Sequence, residues 1–411
     1  MKFARKSGYF LLLLLVAYPY ARTQVRTGAE ILLEKKLNLL QGKRVGVICN
    51  HTSILPNGTH LIDTLLKRGI TITALFAPEH GIRGKAAAGE EVSDGKDTQT
   101  GLSVYSLYGK TVKPAAEMLK DVDVLVFDIQ DVGARFYTYM STMALCMQAA
   151  AENSKPFIAL DRPNPINGVT IEGPVLDTAL KSFVGMFPIP VRHGMTAGEL
   201  AKMIAGEKWL GRDLKIDLTV IKMEGWKRMM WYDETSLPWN PPSPNMKTLA
   251  TATVYPGTCF FEGTNVTEGR GTEKPFEYIG APWIEKDSLA LALNGMSLSG
   301  VKFEPIEFTP KADSIAAPNP KFNGELCNGI SIHVLDRNAF RPVEASLAIL
   351  LMIQKLYPGK LEIKSGQFDR LTGRKEIREG VQTGASLKRL QEVQSENLKR
   401  FESLRRKYLL Y

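Results

Sequence analysis

The segment LFAPEHGIRG, residues 75–84, runs from apolar residues through a proline into a carboxylate and an imidazole, with a guanidinium three residues on. Glu79, His80 and Arg83 cannot be buried without partners. At the edge of a cleft, partial burial can lift a carboxyl pKa toward working pH, so Glu79 is a candidate general acid–base group with His80 beside it. The same three residues could equally make a loop salt bridge, with the imidazole capping a helix.

Four more stretches concentrate polar chemistry. VFDIQDVGARFYTY, residues 126–139, crowds Asp128, Gln130, Asp131, Arg135, Tyr137 and Tyr139 around Gly133. Carboxylates, an amide, a guanidinium and phenols in one set suit a sugar, whose ring faces meet aromatics and whose hydroxyls meet carboxylates. LDRPNPING, residues 160–168, holds Asp161, Arg162, Asn164 and Asn167 in a proline-stiffened turn that could as readily be structural. In VRHGMT, residues 191–196, His193 stands just before a helix start. FEGTNVTEGRGTEKPF, residues 261–276, carries Glu262, Asn265, Glu268, Arg270, Thr272 and Glu273 among glycines that let a backbone turn tightly against a ligand. It could be a plain flexible hairpin or an arm reaching over a cleft.

Elements to position these groups alternate through the front half. Apolar, β-branched runs predict strands over 44–50, 70–79, 122–131, 155–163 and 188–194. Helical spacing marks 59–69, 114–121, 138–154 and 196–207, the last opened by Thr196 with Glu199 three residues on. Near-continuous apolar strands alternating with helices predict a parallel sheet covered on both faces, an α/β, Rossmann-like arrangement. Ligands of such sheets bind at the carboxyl ends of the strands. Each predicted strand ends in polar residues, so those ends are expected to share one site. No G-x-G-x-x-G follows the first strand and no P-loop occurs, which argues against a nucleotide. The four prolines in LPWNPPSPNMKTLAT, residues 237–251, mark a domain boundary, dividing 25–245 from 246–411. Beyond it, 253–283 shows little helical period. Helices are expected over 287–296, 342–358 and from Ala385, and strands over 301–308 and 329–336.

Composition narrows the function classes. The chain has 411 residues, enough for two domains, with 44% hydrophobic and 23% charged residues, as in ordinary globular proteins. The formal charge of +9 comes with bases and acids alternating near the C-terminus and no aromatic-interleaved basic patch, so nucleic acid is not indicated. Residues 1–24 read as a signal peptide: a basic start, then an apolar core from Tyr9 to Tyr18 that is too short to span a bilayer. An exported protein, periplasmic or extracellular and free of the membrane after cleavage, is expected. The four cysteines are widely spaced and form no zinc motif; Cys259 and Cys327 could pair. H-E-x-x-H and G-x-S-x-G are both absent, leaving a metal or a serine nucleophile without support. No cofactor is indicated, and nothing in the sequence specifies an oligomeric state.

Taken together, FAPEHGIRG, VFDIQDVGARFYTY, LDRPNPINGVTIEGPVLD, PIPVRHGMTAGELA, WNPPSPNM and FEGTNVTEGRGTEKPF resemble the NamZ family of exo-acting peptidoglycan β-N-acetylmuramidases, over nearly the whole chain after the signal segment. The resemblance implies a Rossmann-like N-terminal domain, a smaller α+β C-terminal domain and an active site in the cleft between them. It implies release of N-acetylmuramic acid from the non-reducing end of wall fragments. In that chemistry Glu79 is the first choice for the acid, with His80 beside it and Asp128 and Glu262 in reserve for the second role. The lactyl carboxylate of the substrate calls for a guanidinium, from Arg83, Arg135, Arg162 or Arg270. Gln130, Tyr137, Asp161, Asn164, His193 and Asn265 are the further candidates for binding. The rival reading is a non-catalytic protein that binds cell-wall muropeptides on the same fold.

Overall fold

A computed structural model of the protein describes residues 24–84 and 94–411, so nearly all of the expected signal segment lies outside the described residues. Among them no helix is long and apolar enough to cross a membrane.

The strands are β1 (Arg44–Cys49), β2 (Thr71–Ala77), β3 (Gly95–Lys96), β4 (Ser103–Ser106), β5 (Val124–Asp128), β6 (Phe157–Leu160), β7 (Glu172–Val175), β8 (Pro190–Arg192), β9 (Leu218–Ile221), β10 (Tyr278–Ala281), β11 (Val301–Phe308) and β12 (Cys327–Val334). The α-helices are α1 (Gly28–Ile31), α2 (Leu61–Lys67), α3 (Tyr139–Glu152), α4 (Ala197–Gly206), α5 (Leu249–Thr258), α6 (Lys286–Gly295), α7 (Pro342–Leu356), α8 (Ser365–Thr372), α9 (Lys375–Gln382) and α10 (Leu387–Arg405).

Seven strands form the main sheet in the order β3-β4-β2-β1-β5-β6-β9, all parallel except the edge strand β3. The chain starts at β1, winds outward through β2 and β4, then returns to β5 and winds the other way. This is the doubly wound Rossmann-type pattern, with its crevice beside the carboxyl ends of β1 and β5. A three-stranded antiparallel sheet, β10-β12-β11, anchors the C-terminal half.

Burial explains why the apolar runs became central strands. Every residue of β5 is buried, as is all of β1 after Arg44. Several expectations need correction. The run at 188–194 is not a fifth parallel strand: β8 pairs antiparallel with β7, outside the main sheet. Pro190 lacks a donor for a central ladder. The outer place is taken instead by β9, a short, half-buried strand with little apolar contrast. The helix expected over 114–121 is a single 3-10 turn, Ala116–Leu119. The stretch from 253 opens inside α5, which carries Pro256 in its last turn and there gives up one hydrogen bond to the preceding turn. All four cysteines are free and buried, so Cys259 and Cys327 do not pair.

Two packing features position the site. First, the main apolar core runs without a break from the sheet through α3 into the C-terminal half, through residues such as Phe127, Met143, Phe260 and Leu347. Edge-to-face ring pairs cross the seam: Phe136–Tyr255 at 5.3 Å, Tyr137–Tyr255 at 5.9 Å and Phe136–Phe260 at 6.2 Å between centroids. Each such pair adds about 0.5–1.5 kcal/mol beyond the area it buries. Second, the proline-rich segment between the halves fills the crevice at the carboxyl ends of β1 and β5. Tyr139 donates its hydroxyl to the Pro242 carbonyl at 2.6 Å, Asn240 donates to the His51 carbonyl at 2.6 Å, and His51 Nε2 lies 2.8 Å from the Pro241 carbonyl. A void of about 30 Å³ remains there, lined by Gln130, Arg162 and Asn240 among others. That is room for about one water. The berth that a dinucleotide occupies in this fold is closed by the chain itself.

Candidate active site

The open cavity lies to one side of that crevice, at the seam, with a volume of about 550 Å³. The N-terminal half contributes Glu79, His80, Tyr108 and the 136–139 segment; the C-terminal half contributes Tyr255, Glu262, Glu268, Arg270, Phe276, Lys321, Lys364 and Gln367.

Glu79 follows β2 and Pro78, where the apolar run ends, and is half-buried. It accepts a 2.8 Å hydrogen bond from the Oγ1 of Thr138, the residue that stands at the N-terminus of α3. The positive end of a 14-residue helix therefore faces the carboxylate. Tyr108 hydrogen-bonds the same carboxyl; burial and the neighbouring charges of Glu79 and Glu262 push its phenol well above the usual range. Hydroxyls both donate and accept, so Thr138 and Tyr108 can hold Glu79 in either protonation state. The next residue, His80, is buried and sits at φ 71°, a left-handed conformation uncommon outside glycine. Phe276, across the cavity, sits at φ 67°. Strained residues of this kind persist where the surroundings over-determine them and collect at functional sites.

The opposite wall is an ion-pair chain. Arg270 binds Glu262 at 2.7 Å through Nη2 and approaches Glu268 at 3.5 Å through Nε, while its guanidinium lies 5.0 Å from the Phe276 ring centroid. Lys321 donates to Glu268 at 2.9 Å and to the carbonyls of Phe261 and Val266 at 2.6 and 2.9 Å. Burial alone would raise the Glu268 pKa; Lys321 and Arg270 outweigh it and hold the carboxyl below the ordinary range. The glycine-rich arm thus supplies one wall and fixes its second carboxylate.

The other polar strand ends do not reach the cavity. Asp128 and Arg162 form a buried bidentate pair at 2.6 and 2.9 Å between neighbouring strands β5 and β6. Arg83 is bidentate to Asp97 at 3.0 and 2.8 Å. Arg135 is buried and donates to the carbonyls of Pro174, Ile189 and Leu371, and burial lowers its pKa to about 9. Gln130 ties the Asp131 and Pro163 carbonyls together, both at 2.8 Å. Asp161 accepts from Thr196, the Gly198 amide and Tyr411, anchoring the start of α4. Asn164 bonds the backbone of Met195 and Ile166. His193 accepts from the Met195 amide through Nδ1, and burial lowers its pKa to about 3. Asn265 bonds the backbone of Lys360 and Glu362. These side chains join elements to one another. Glu79, His80, Tyr137, Tyr139, Glu262, Glu268 and Arg270 are the candidates that the fold brings together around the cavity.

Tyr108, Thr138, Lys321 and Lys364 also belong to the cavity and were not singled out in the sequence. Tyr108 follows β4, a strand of four residues near the sheet edge that gives no strong apolar signal. Thr138 was legible only as a helix start. The two lysines come from loops of the C-terminal half with no motif around them. Among the described residues, no group of three or more histidines, cysteines and acids could hold a metal ion.

A doubly wound α/β domain whose nucleotide berth is closed, joined to a second domain across a carboxylate-bearing, aromatic-walled cavity, is a two-lobed protein suited to a polar, ring-shaped ligand. Residues 45–250 match the family described as "Exo-beta-N-acetylmuramidase NamZ, N-terminal", and residues 253–411 match its C-terminal counterpart. The chain belongs to the NamZ family. Among its relatives, a peptidoglycan beta-N-acetylmuramidase NamZ of Bacillus subtilis (strain 168) is 47% identical over 392 residues, covering 95% of this chain and 92% of that protein. Two crystal structures of DUF1343 family proteins from Bacteroides fragilis NCTC 9343 are similar throughout. One has a TM-score of 0.87 at 39% identity, covering 94% of this chain and 99% of the other. The second has a TM-score of 0.77 at 34% identity, covering 95% and 99%.

Proposed function

We propose that the protein is an exo-acting β-N-acetylmuramidase that releases N-acetylmuramic acid from the non-reducing end of peptidoglycan fragments. Family membership supports the activity, and the cavity supports the chemistry. Its volume of about 550 Å³ lies within the range of about 300–1,000 Å³ typical of small-ligand sites. The observation that carries the reading is Glu79, held by two hydroxyls at a helix N-terminus in a seam cavity with a second carboxylate, Glu262.

Breaking a glycosidic bond requires a proton at the leaving oxygen and negative charge near the anomeric carbon, where positive charge develops. Glu79 handles the proton, with Thr138 and Tyr108 able to follow it through both protonation states. Glu262, oriented by Arg270, supplies the negative charge or guides the attacking water. Tyr137, Tyr255 and Phe276 offer ring faces to the sugar. With residues 1–24 acting as an export signal, the reaction takes place outside the cytoplasmic membrane.

A chromogenic β-N-acetylmuraminide tests the reading. Wild type should release the chromophore, and Glu79→Gln should lose about 10³-fold in kcat while binding N-acetylmuramic acid normally. Full turnover by Glu79→Gln would remove Glu79 from the chemistry. A wild type that binds the sugar without releasing the chromophore would make the protein a muropeptide binder.

A further inference from the structure

The substrate class carries an anion, and three of the four arginines that could meet it are committed elsewhere: Arg83 to Asp97, Arg135 to backbone carbonyls, and Arg162 to Asp128. The cations that line the cavity are Arg270, Lys321 and Lys364, with His80 beside Glu79. Arg270 already serves Glu262 and Glu268, so a third carboxylate would meet two like charges. Lys321 has three donors and spends them on Glu268 and the carbonyls of Phe261 and Val266. Lys364 remains. It is exposed on the cavity lip, and among the described residues its ammonium has neither a hydrogen bond nor an ion pair.

The backbone of Lys364 is nonetheless fixed beside the chemistry. Its amide donates to the Gly263 carbonyl at 2.8 Å, one residue from Glu262, and its carbonyl accepts from the Phe368 amide at 2.9 Å in α8. A Cβ on Gly263 would lie 2.8 Å from the Phe368 backbone, so this turn and α8 are pressed together. Thr264 bridges Ile363, and Asn265 clamps the Lys360 carbonyl at 2.8 Å and the Glu362 amide at 2.9 Å, zipping the segment that leads to Lys364 onto the Glu262 turn. Gln367, three residues on, lines the same corner and offers an amide donor.

We propose that Lys364 receives the lactyl carboxylate of N-acetylmuramic acid and thereby selects muramic over uncharged hexosamine sugars, an inference that rests on the muramidase reading above. Lys364 is a specificity determinant that leaves the bond-breaking steps to Glu79.

Kinetics on two substrates test it: a chromogenic β-N-acetylmuraminide, and the same compound with its lactyl carboxylate capped as a methylamide. Lys364→Met should raise KM for the charged substrate about tenfold, leave kcat nearly unchanged, and leave KM for the capped substrate as in wild type. Lys364→Arg should recover most of the loss. Added salt should raise KM in wild type and not in Lys364→Met. Calorimetric titration with free N-acetylmuramic acid should show the same tenfold loss without any need for turnover. An unchanged KM in Lys364→Met, or equal losses on both substrates, overturns the assignment while leaving the muramidase reading intact. A wild type that neither cleaves the muraminide nor binds N-acetylmuramic acid overturns both.

Discussion

Asp131 shows how much a single residue's surroundings decide. It follows β5 and is buried; its Oδ2 accepts from the Gly133 amide at 2.7 Å, and among the described residues its Oδ1 has no hydrogen-bond partner. Burial raises its pKa to about 7, against backbone donors from Gly133 and Val132 that lower it. The folded protein therefore holds a proton on Asp131 that the unfolded chain, near the ordinary value of about 4, releases. Stability from this group falls as pH rises between about 4 and 7 and levels off above. Asp131→Asn keeps an acceptor for Gly133 and removes the titration. The difference in Tm, variant minus wild type, should grow more positive from pH 5 to pH 8, by the equivalent of a few kcal/mol at most. A difference that stays flat would mean that Asp131 keeps an ordinary pKa. Neighbours such as His193, pushed down to about 3 by burial, titrate in both proteins and largely cancel in the difference. At this scale the sequence showed residue types and hid their partners. Asp128 and Arg162 looked like two polar strand ends; only the pairing of β5 with β6 makes them one neutral pair. Glu79 and Glu262 looked no different, yet Glu79 takes hydroxyl partners from Thr138 and Tyr108 and the fold leaves both carboxylates at a void.

Among the elements, the contact of α5 with α7 ties the arm to the C-terminal core. Gly257 sits where a Cβ would come within 1.9 Å of the Pro342 carbonyl oxygen and 2.4 Å of Ser346 Oγ. Gly257→Ala should force the two helices apart and cost roughly 1–3 kcal/mol, read as a lower urea midpoint at unchanged m value. Wild-type stability in that variant would show that the helices have slack. The same helix marks the limit of what periodicity reveals. LATATVYPGT has a proline and a glycine near its end and is buried on nearly all sides, so no polar face betrays its period. Strands with strong apolar contrast, β1, β2, β5 and β6, were legible because both of their faces are buried. The outer strands β4 and β9 were not, because half-buried strands of four residues look like loops. The proline cluster was legible as a break, while its docking into the Rossmann crevice depends on hydrogen bonds to Tyr139 and His51, far away in sequence.

For the molecule as a whole, one core spans both halves. Calorimetry should therefore show a single unfolding transition whose calorimetric and van't Hoff enthalpies agree, even though the family description divides the chain near residue 250. Two resolved peaks would show that the halves melt independently. The prolines raise the expectation of a division, whereas the unity of the core could not be read from the sequence. It rests on α3, buried nearly all round, and on rings from both sides of the break.

Those same rings wall the sugar cavity. Phe136, Tyr137 and Tyr255 at once join the two halves and line the cavity that Glu79 and Glu262 share. Cohesion and cavity shape are therefore linked: a change that loosens the joint also moves the cavity walls. A hybrid assembled from the front half of one relative and the back half of another would have to rebuild this ring contact to recover the cavity.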